Sequence, residues 1–310
     1  MSLLVVGTVA FDAIETPFGK TDKIVGGAAT YISLAAAYHT KGIRLVSVIG
    51  DDFDQPTLDH LKNNSIDLEG LQLKQGEKSF FWSGRYHNDM NTRDTLATEL
   101  NVLEKFDPIL PDSYKNSEFV MLGNLTPAVQ AKVLDQMTEK PKLIVMDTMN
   151  FWMDIALEEL KQTIARVDVL TINDEEARQL SGEYSLVKAA RKILELGPKY
   201  LVIKKGEHGA LLFNKENKVF FAPALPHEEV FDPTGAGDSF AGGFIGYLAA
   251  TKDISFDNMK RAIIFGSAMA SFTVEKFGTE RLIGLTTEEV DNRVQQFVDF
   301  VQFDIELVAT

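Results

Sequence analysis

Short β-rich apolar runs alternate with amphipathic helical runs through most of this 310-residue chain, and no other feature restricts the fold as strongly. Leu3–Val9, Arg44–Ile49, Phe119–Leu122, Leu143–Met146, Asp168–Ile172 and Tyr200–Lys204 each read as buried strands. Between them Ala28–Thr40 is closed by Gly42, Pro127–Thr138 is opened by Thr126, and Leu186–Leu196 is ended by Gly197-Pro198. Such a rhythm predicts a mostly parallel sheet covered by helices. Two segments break it. Residues 12–25 and roughly 70–93 have strand character but no following helix, which predicts a small separate sheet, either a flap over a site or a pair of surface hairpins. After residue 230 the chain reads as mostly helical. The segment from Glu288 to Phe303 sets Val290, Val294, Phe297 and Val301 at helical spacing, as a packing helix does.

Composition decides which partners to expect. Lys and Arg total 31 against 45 Asp and Glu, a net charge of −14, so the chain lacks the diffuse positive field that nonspecific nucleic-acid or anionic-membrane binding needs. An anionic small molecule would require a local device such as a helix N-terminus, a few basic side chains or a metal ion. With no cysteine, the chain has no disulfide, thiolate zinc site, iron–sulfur cluster or thiol nucleophile, which suits a reducing, cytoplasmic setting. The apolar N-terminus has no basic region before it and reaches Asp12 early, so it reads as a first strand rather than a signal peptide. The glycine-rich apolar stretch Ser239–Ala250 is too short to span a bilayer.

The sharpest local signal is Asp-Pro-Thr-Gly-Ala-Gly-Asp at 232–238, running into a small-residue helix. The N–H groups of Gly235, Ala236 and Gly237 would be exposed at that helix N-terminus, where unpaired donors and about half a positive charge suit a phosphate. Asp238 as a mere cap would stand beside the anion that the loop binds. As a general base it could take a proton from a hydroxyl attacking a γ-phosphate. A plain N-cap aspartate with turn glycines is the competing reading. Gly19-Lys20-Thr21 imitates the end of a P-loop, but Ile14 stands where its first glycine belongs. A dinucleotide fingerprint fails as well, because Phe240 occupies the third glycine position.

The 232–238 run with the following Ser-Phe-Ala-Gly-Gly-Phe resembles the C-terminal signature of the PfkB/ribokinase family of carbohydrate kinases. Further motifs fall in that family's order over about 230 residues. Gly7 with Asp12 is similar to its G-x(4)-D element, and Gly26-Gly27-Ala28-Ala29 to its di-glycine signature. Asp147 to Asn150 resembles its D-x-N stretch, Asn173 to Glu176 its N-x-x-E motif, and Lys205-Gly206 to Gly209 its nucleotide-side turn. The resemblance implies a ribokinase-like three-layer α/β sandwich over residues 1–310, with a mostly parallel central sheet and a small β lid from about 12–25 and 70–93. It implies ATP as co-substrate and Mg²⁺, with Asp238 as base and Gly235, Ala236 and Gly237 as anion hole. Asp12, Gly26, Gly27, Thr30 and Asn150 would bind the acceptor, and Asn173, Lys205, Gly206, Gly209, Gly235 and Gly237 the nucleotide. Glu176 would hold Mg²⁺ through water, and Asp232 with Thr234 marks a site for a monovalent cation such as K⁺. The segment Phe265 to Gly278 would wall the purine pocket.

Two departures bear on specificity. Thr30 stands where the family has a ligand Asn, with Tyr31 after it, and Phe151-Trp152 replaces an Arg after the D-x-N stretch. Trp152 either stacks on substrate or packs in the core. The five histidines show no pair at metal-ligand spacing. Lys78, Arg85 and Arg93 read as a solvated strand edge, or as contacts to a phosphorylated sugar. The expected reaction is phosphoryl transfer from ATP to a sugar hydroxyl. A nucleoside kinase is the first alternative, since Phe80, Phe81, Trp82 and Tyr86 could stack on a base. A 6-phosphosugar kinase and a non-catalytic sugar or nucleotide sensor follow. Phe80, Trp82 and Tyr86 could instead face outward and pair two lids in a homodimer.

Overall fold

The computed structural model describes residues 2–302. The chain opens with β1 (Leu3–Val6), passes through β2 (Ala10–Thr16), β3 (Gly19–Lys20) and β4 (Ile24–Gly26), and enters α1 (Ala28–Ala37). Then come β5 (Ile43–Gly50), α2 (Gln55–Asn63), β6 (Ile66–Lys74), β7 (Phe81–Tyr86) and β8 (Arg93–Glu99). The alternating middle comprises β9 (Phe119–Leu122), α3 (Pro127–Asp135), β10 (Leu143–Asp147), α4 (Asn150–Ile155), α5 (Leu157–Ile164) and β11 (Val169–Asn173). It continues through α6 (Asp174–Ser181), α7 (Leu186–Glu195), β12 (Tyr200–Lys204), β13 (Ala210–Asn214) and β14 (Val219–Ala222). Helices α8 (Ala236–Thr251), α9 (Phe256–Thr273), α10 (Glu280–Ile283) and α11 (Thr287–Val301) close the described chain.

Nine strands form the main sheet in the order β14-β13-β12-β11-β10-β9-β1-β5-β6. Its pairings are parallel from β12 to β6 and antiparallel at the β12–β13–β14 edge. Successive residues of each central strand feed opposite cores. Leu3, Val5, Phe119 and Met121 pack under α1, α8 and α9, whereas Leu4, Val6, Val120 and Leu122 join residues of α3, α5 and α7 on the other side. Burial on both faces is why these strands read as unbroken apolar runs rather than alternating ones.

Helix α8 carries glycines at 237, 242, 243 and 246, each costly in a helix, so packing helps to hold it. A Cβ on Gly242 would lie 2.3 Å from the Ile32 carbonyl oxygen, which shows how closely α8 approaches α1. The predicted C-terminal helix is α11. Its Thr286–Glu289 capping box sets the start, Val290 and Phe297 are buried, and Phe303 lies outside the described residues.

A second, five-stranded sheet runs β3-β2-β7-β8, with β4 paired to β2. Its first part agrees with the segment 12–25. The second boundary needs correction. Residues 70–74 belong to β6 and pair with β5 (Ser47↔Leu71, Gly50↔Lys74), so they extend the main sheet, and the small sheet takes β7 and β8 through Glu99. The misplacement arises because α2, which buries only Leu61, gives a weak apolar stripe and hides a β–α–β unit. Leu3–Val9 is also shorter than expected, since β1 stops at Val6 and the chain crosses into the small sheet.

Candidate active site

The 232–238 loop is built around Asp232. Its Oδ1 accepts from the Thr234 amide at 2.8 Å and its Oδ2 from the Gly278 amide at 2.9 Å, tying the loop to the turn between α9 and α10. Gly235 then takes φ 75° as the N-cap of α8, a left-handed conformation that favours glycine. Its neighbours demand glycine too, because a Cβ there would lie 2.5 Å from the Tyr31 ring. The three amides expected to act together are not equivalent. Ala236 N–H donates to Pro233 O at 3.2 Å, whereas those of Gly235, Gly237 and Asp238 meet no acceptor among the described residues. The uncommitted donors are therefore Gly235, Gly237 and Asp238.

Asp238 sits in the first turn of α8 with its carboxyl pushed up to about 7. Burial is the main cause and the Asp147 carboxylate adds to it, against the pull of Lys204 and Arg93. Lys204 is the residue that sequence reasoning missed in favour of its neighbour. From the end of β12 its Nζ pairs with Asp147 Oδ2 at 2.6 Å, both groups being largely buried. A Cβ on Gly237 would stand 3.2 Å from that Nζ, so the ammonium faces the uncommitted amides. Burial opposes its charge, but Asp147, Glu176 and Asp238 outweigh burial and keep it protonated. Lys205 instead lies over the Phe221 ring, 5.9 Å from its centroid. Strand order supplies the signal: β12, β11 and β10 are neighbours, so Lys204, Asn173 and Asp147 come together at their C-terminal ends.

Asn173 and Glu176 form a capping box at the start of α6: Glu176 N–H donates to Asn173 Oδ1 at 2.8 Å, and Asn173 N–H to Glu176 Oε2 at 2.7 Å. This capping box fixes the start of α6, and the pairing of Asn173 with Lys204 sets it beside that lysine. Glu176 is buried and its carboxyl is raised to about 7, by burial first and by Asp147, with Lys204 opposing. Its Oε1 has no hydrogen-bond partner among the described residues. Such an oxygen suits Mg²⁺. Among the described residues no three acidic or histidine side chains form a chelating group, so an ion here would rely on water and phosphate oxygens, as Mg²⁺ commonly does.

Asp12 stands across the cleft on β2, 5% exposed, with its carboxyl raised to about 7 by burial and then by Asp232 and Asp238. A Cβ on Gly26 would fall 1.8 Å from its Oδ2, so that glycine makes room for the carboxylate. Gly27 caps α1, but Thr8 already takes the Ala28 and Ala29 amides. Thr30 and Tyr31 are buried, and neither hydroxyl has a partner among the described residues. Tyr31, noted in the sequence only as following Thr30, turns its ring onto Gly235, and Asp12, Asp232 and Asp238 all push its phenol above its ordinary range, after burial.

Other expected residues fare differently. Asn150 is exposed and its Oδ1 accepts from the Phe151 amide, so the structure does not bring it to the cluster; Asp147, three residues earlier, is the member of that stretch which arrives. Trp152 packs on the core, with its indole N–H donating to Asn124 Oδ1. Phe265 stacks on Tyr247 at 4.2 Å and meets His39 edge-on, so it serves helix packing rather than a purine wall. Gly206 and Gly209 bracket a tight turn after β12 at φ 54° and 79°.

The small sheet turns one face toward this cluster. Asp12 is paired with Trp82, and Ile14 with Gly84; Tyr86 follows on the same face of β7 and accepts a hydrogen bond from Thr234 Oγ1 at 3.2 Å. Trp82 and Tyr86 thus share the face of Asp12, which turns the aromatics invoked for a lid-to-lid dimer inward. The opposite face carries the Arg85–Glu15 ion pair.

A helix N-terminus with free amides, an aspartate at its first turn and a facing ammonium, all at the C-terminal ends of a parallel sheet, define a ribokinase-like α/β phosphotransferase. The fold is shared with the solved nucleoside kinase of Methanocaldococcus jannaschii (TM-score 0.76, 22% identity, covering 96% of this chain and 99% of that one). The chain belongs to the pfkB family of carbohydrate kinases, whose sequence model matches residues 2–283. It is 31% identical to a cytidine kinase of Thermococcus kodakarensis over 79% of this chain and 87% of that protein. It is 27% identical to the ribokinase of Bacillus subtilis over 90% and 92%. It is thus an ATP-dependent kinase of that family. Among the described residues no helix is long and apolar enough to cross a membrane.

Proposed function

We propose that this kinase transfers the γ-phosphoryl group of ATP to a hydroxyl of a nucleoside. The observation that carries the acceptor class is the shared face of Asp12, Trp82 and Tyr86, which sets a carboxylate for sugar hydroxyls beside flat aromatic surface for a base. The 31% identity to a cytidine kinase supports the same choice. A free sugar is the second reading, favoured by the likeness to a ribokinase and by Tyr86, which is already engaged with Thr234 and narrows the space beside Trp82.

In this reading Asp12 orients the acceptor, and Asp238 takes the proton from its attacking hydroxyl. The base is suited to this because its raised carboxyl titrates near neutrality. The amides of Gly235 and Gly237 receive negative charge on the transferred group, with the Lys204 ammonium behind them. Glu176 and Asn173 would hold hydrated Mg²⁺, which supplies charge neutralisation on the ATP phosphates. Gly206 and Gly209 shape the nucleotide side, and Thr234 with Asp232 offers a place for a monovalent cation. The small sheet acts as a lid that excludes water from the transfer.

The test is ADP production from Mg-ATP against pyrimidine and purine nucleosides, free sugars and sugar phosphates, with Asp238→Asn as the blank. A nucleoside should stimulate the wild type alone, and the variant should lose about 10²–10⁴ in kcat, the usual contribution of a general base. Stimulation only by free sugars would replace the acceptor class. ATP binding with no turnover on any acceptor would favour a sensor.

A further inference from the structure

Trp82 is the acceptor-side aromatic of the reading above, and its ring lies down along the sheet instead of standing up from it. A Cβ on Gly84, two residues further along β7, would fall 2.2 Å from Cη2 and 2.3 Å from Cζ2 of the indole. The six-membered ring therefore occupies the space that any side chain at 84 would need, and Gly84 itself is buried. Its backbone is that of a paired strand residue, opposite Ile14 of β2 and Thr95 of β8, and no positive φ calls for glycine there. Glycine weakens a strand interior and often marks a close approach. Here the group that approaches is the ring of the neighbouring Trp82.

Strand β8 helps to hold the ring down. Its register with β7 skips Leu96, since Ser83 pairs with Ala97 and Gly84 with Thr95. A bulge of this kind re-aims the side chains that follow it. In an unbroken register residue 96 would oppose Gly84 and Thr95 would point to the other face. With the bulge, Thr95 joins Gly84 and Arg93 joins Tyr86 on the inner face. The indole N–H of Trp82, whose own cross-strand partner is Thr98, donates instead to Thr95 Oγ1 at 3.4 Å, which draws the ring across Gly84. The Arg93 guanidinium carbon is 5.9 Å from the ring centroid, at the outer limit of a cation–π contact, so it borders the ring rather than stacking on it. With β7 beneath it, Ile14 to one side and Thr95 to the other, the ring can yield to a side chain at 84 only by rising toward the cleft, where Asp12 is level with Trp82.

We propose that Gly84 is a specificity-determining residue: by carrying no side chain it lets the Trp82 indole lie along β7, and so leaves room over the ring for the base of a nucleoside. A side chain at 84 would raise the ring into that space and leave a site fitted to a free sugar. This rests on the nucleoside reading above, and the experiment separates the two. Gly84→Ala, Trp82→Leu and the double variant are compared with wild type for KM and kcat on the best nucleoside and on free ribose, and for calorimetric affinity toward Mg²⁺ with a non-hydrolysable ATP analogue. Indole emission is read in a Trp152→Phe background, which leaves Trp82 as the sole tryptophan. Gly84→Ala should raise the nucleoside KM about tenfold or more, the size of a lost base–aromatic stack. It should leave kcat, the affinity for the ATP analogue and the use of ribose no weaker, and shift the Trp82 emission to the red as the ring leaves the sheet. In Trp82→Leu, which has no ring to lift, adding Gly84→Ala should change the nucleoside KM no further. An unchanged nucleoside KM, equal losses on nucleoside and ribose, additive effects in the double variant, unmoved emission, or a Gly84→Ala chain that fails to fold because the sheet yields instead of the ring would each overturn the role of Gly84. A wild type that phosphorylates no nucleoside would instead overturn the nucleoside reading, and this assignment with it.

Discussion

Replacing Lys204 by Met tests how the charge of the cleft is held. The substitution keeps most of the side-chain volume and removes an ammonium that faces Asp147, Glu176 and Asp238 together. Asp147 is 7% exposed at its side chain, and its partner Nζ lies at 2.6 Å, so the variant strands a buried carboxylate rather than trimming a surface pair. Breaking a buried pair from one side costs about 3–5 kcal/mol, against under about 1 kcal/mol for an exposed one. The cost must also depend on pH. Without Lys204, Asp147, Glu176 and Asp238 face one another, Glu176 and Asp238 keep only the weaker pull of Arg93, and both already titrate near 7. Their folded-state carboxyls rise further, so the penalty is full above that range and shrinks as pH falls and they take up protons. Urea unfolding at pH 8 and pH 5.5 measures both effects. We expect the lower midpoint of Lys204→Met to be far more pronounced at pH 8, and Asp147→Asn added to it to restore much of the loss. A loss below about 1 kcal/mol at pH 8, or one that ignores pH, would refute the argument that this pair is buried and coupled to the two acids.

Two further outcomes follow from the site. For the wild type, log kcat/KM should rise with pH up to about 7 and level off above it, because Asp238 must lose its proton to act as a base and its raised carboxyl keeps that proton until neutrality. A rate profile flat from pH 5.5 to 8 would exclude it from that role. Gly235→Ala should destabilise the fold by about 2–5 kcal/mol, roughly 1–2 for a left-handed residue and 1–3 for overpacking the buried Tyr31 ring; a urea midpoint within error of wild type would show that the ring can yield.

Local chemistry made much of this protein readable in one dimension. The strand cores and the Gly-Ala-Gly helix start at 235–237 are patterns whose interactions span a few residues, and both appear where the sequence puts them. Two motifs of the resemblance pointed to Asp12 and Gly26, whose contact joins β2 to β4. What the sequence left open depends on contacts between distant segments. Lys204 was passed over for Lys205 because β12 is covered on both faces, so apolar alternation says nothing about which lysine turns to the site. Asp147 rather than Asn150 arrives because β10 ends there, one strand removed from β12. The inward turn of Trp82, Tyr86 and Arg93 required the pairing of β7 with β2, some 70 residues apart in the chain. A strand's two faces differ only by a one-residue shift in register, and only the packed neighbours, with Tyr86 fastened to Thr234, determine which face meets the cleft.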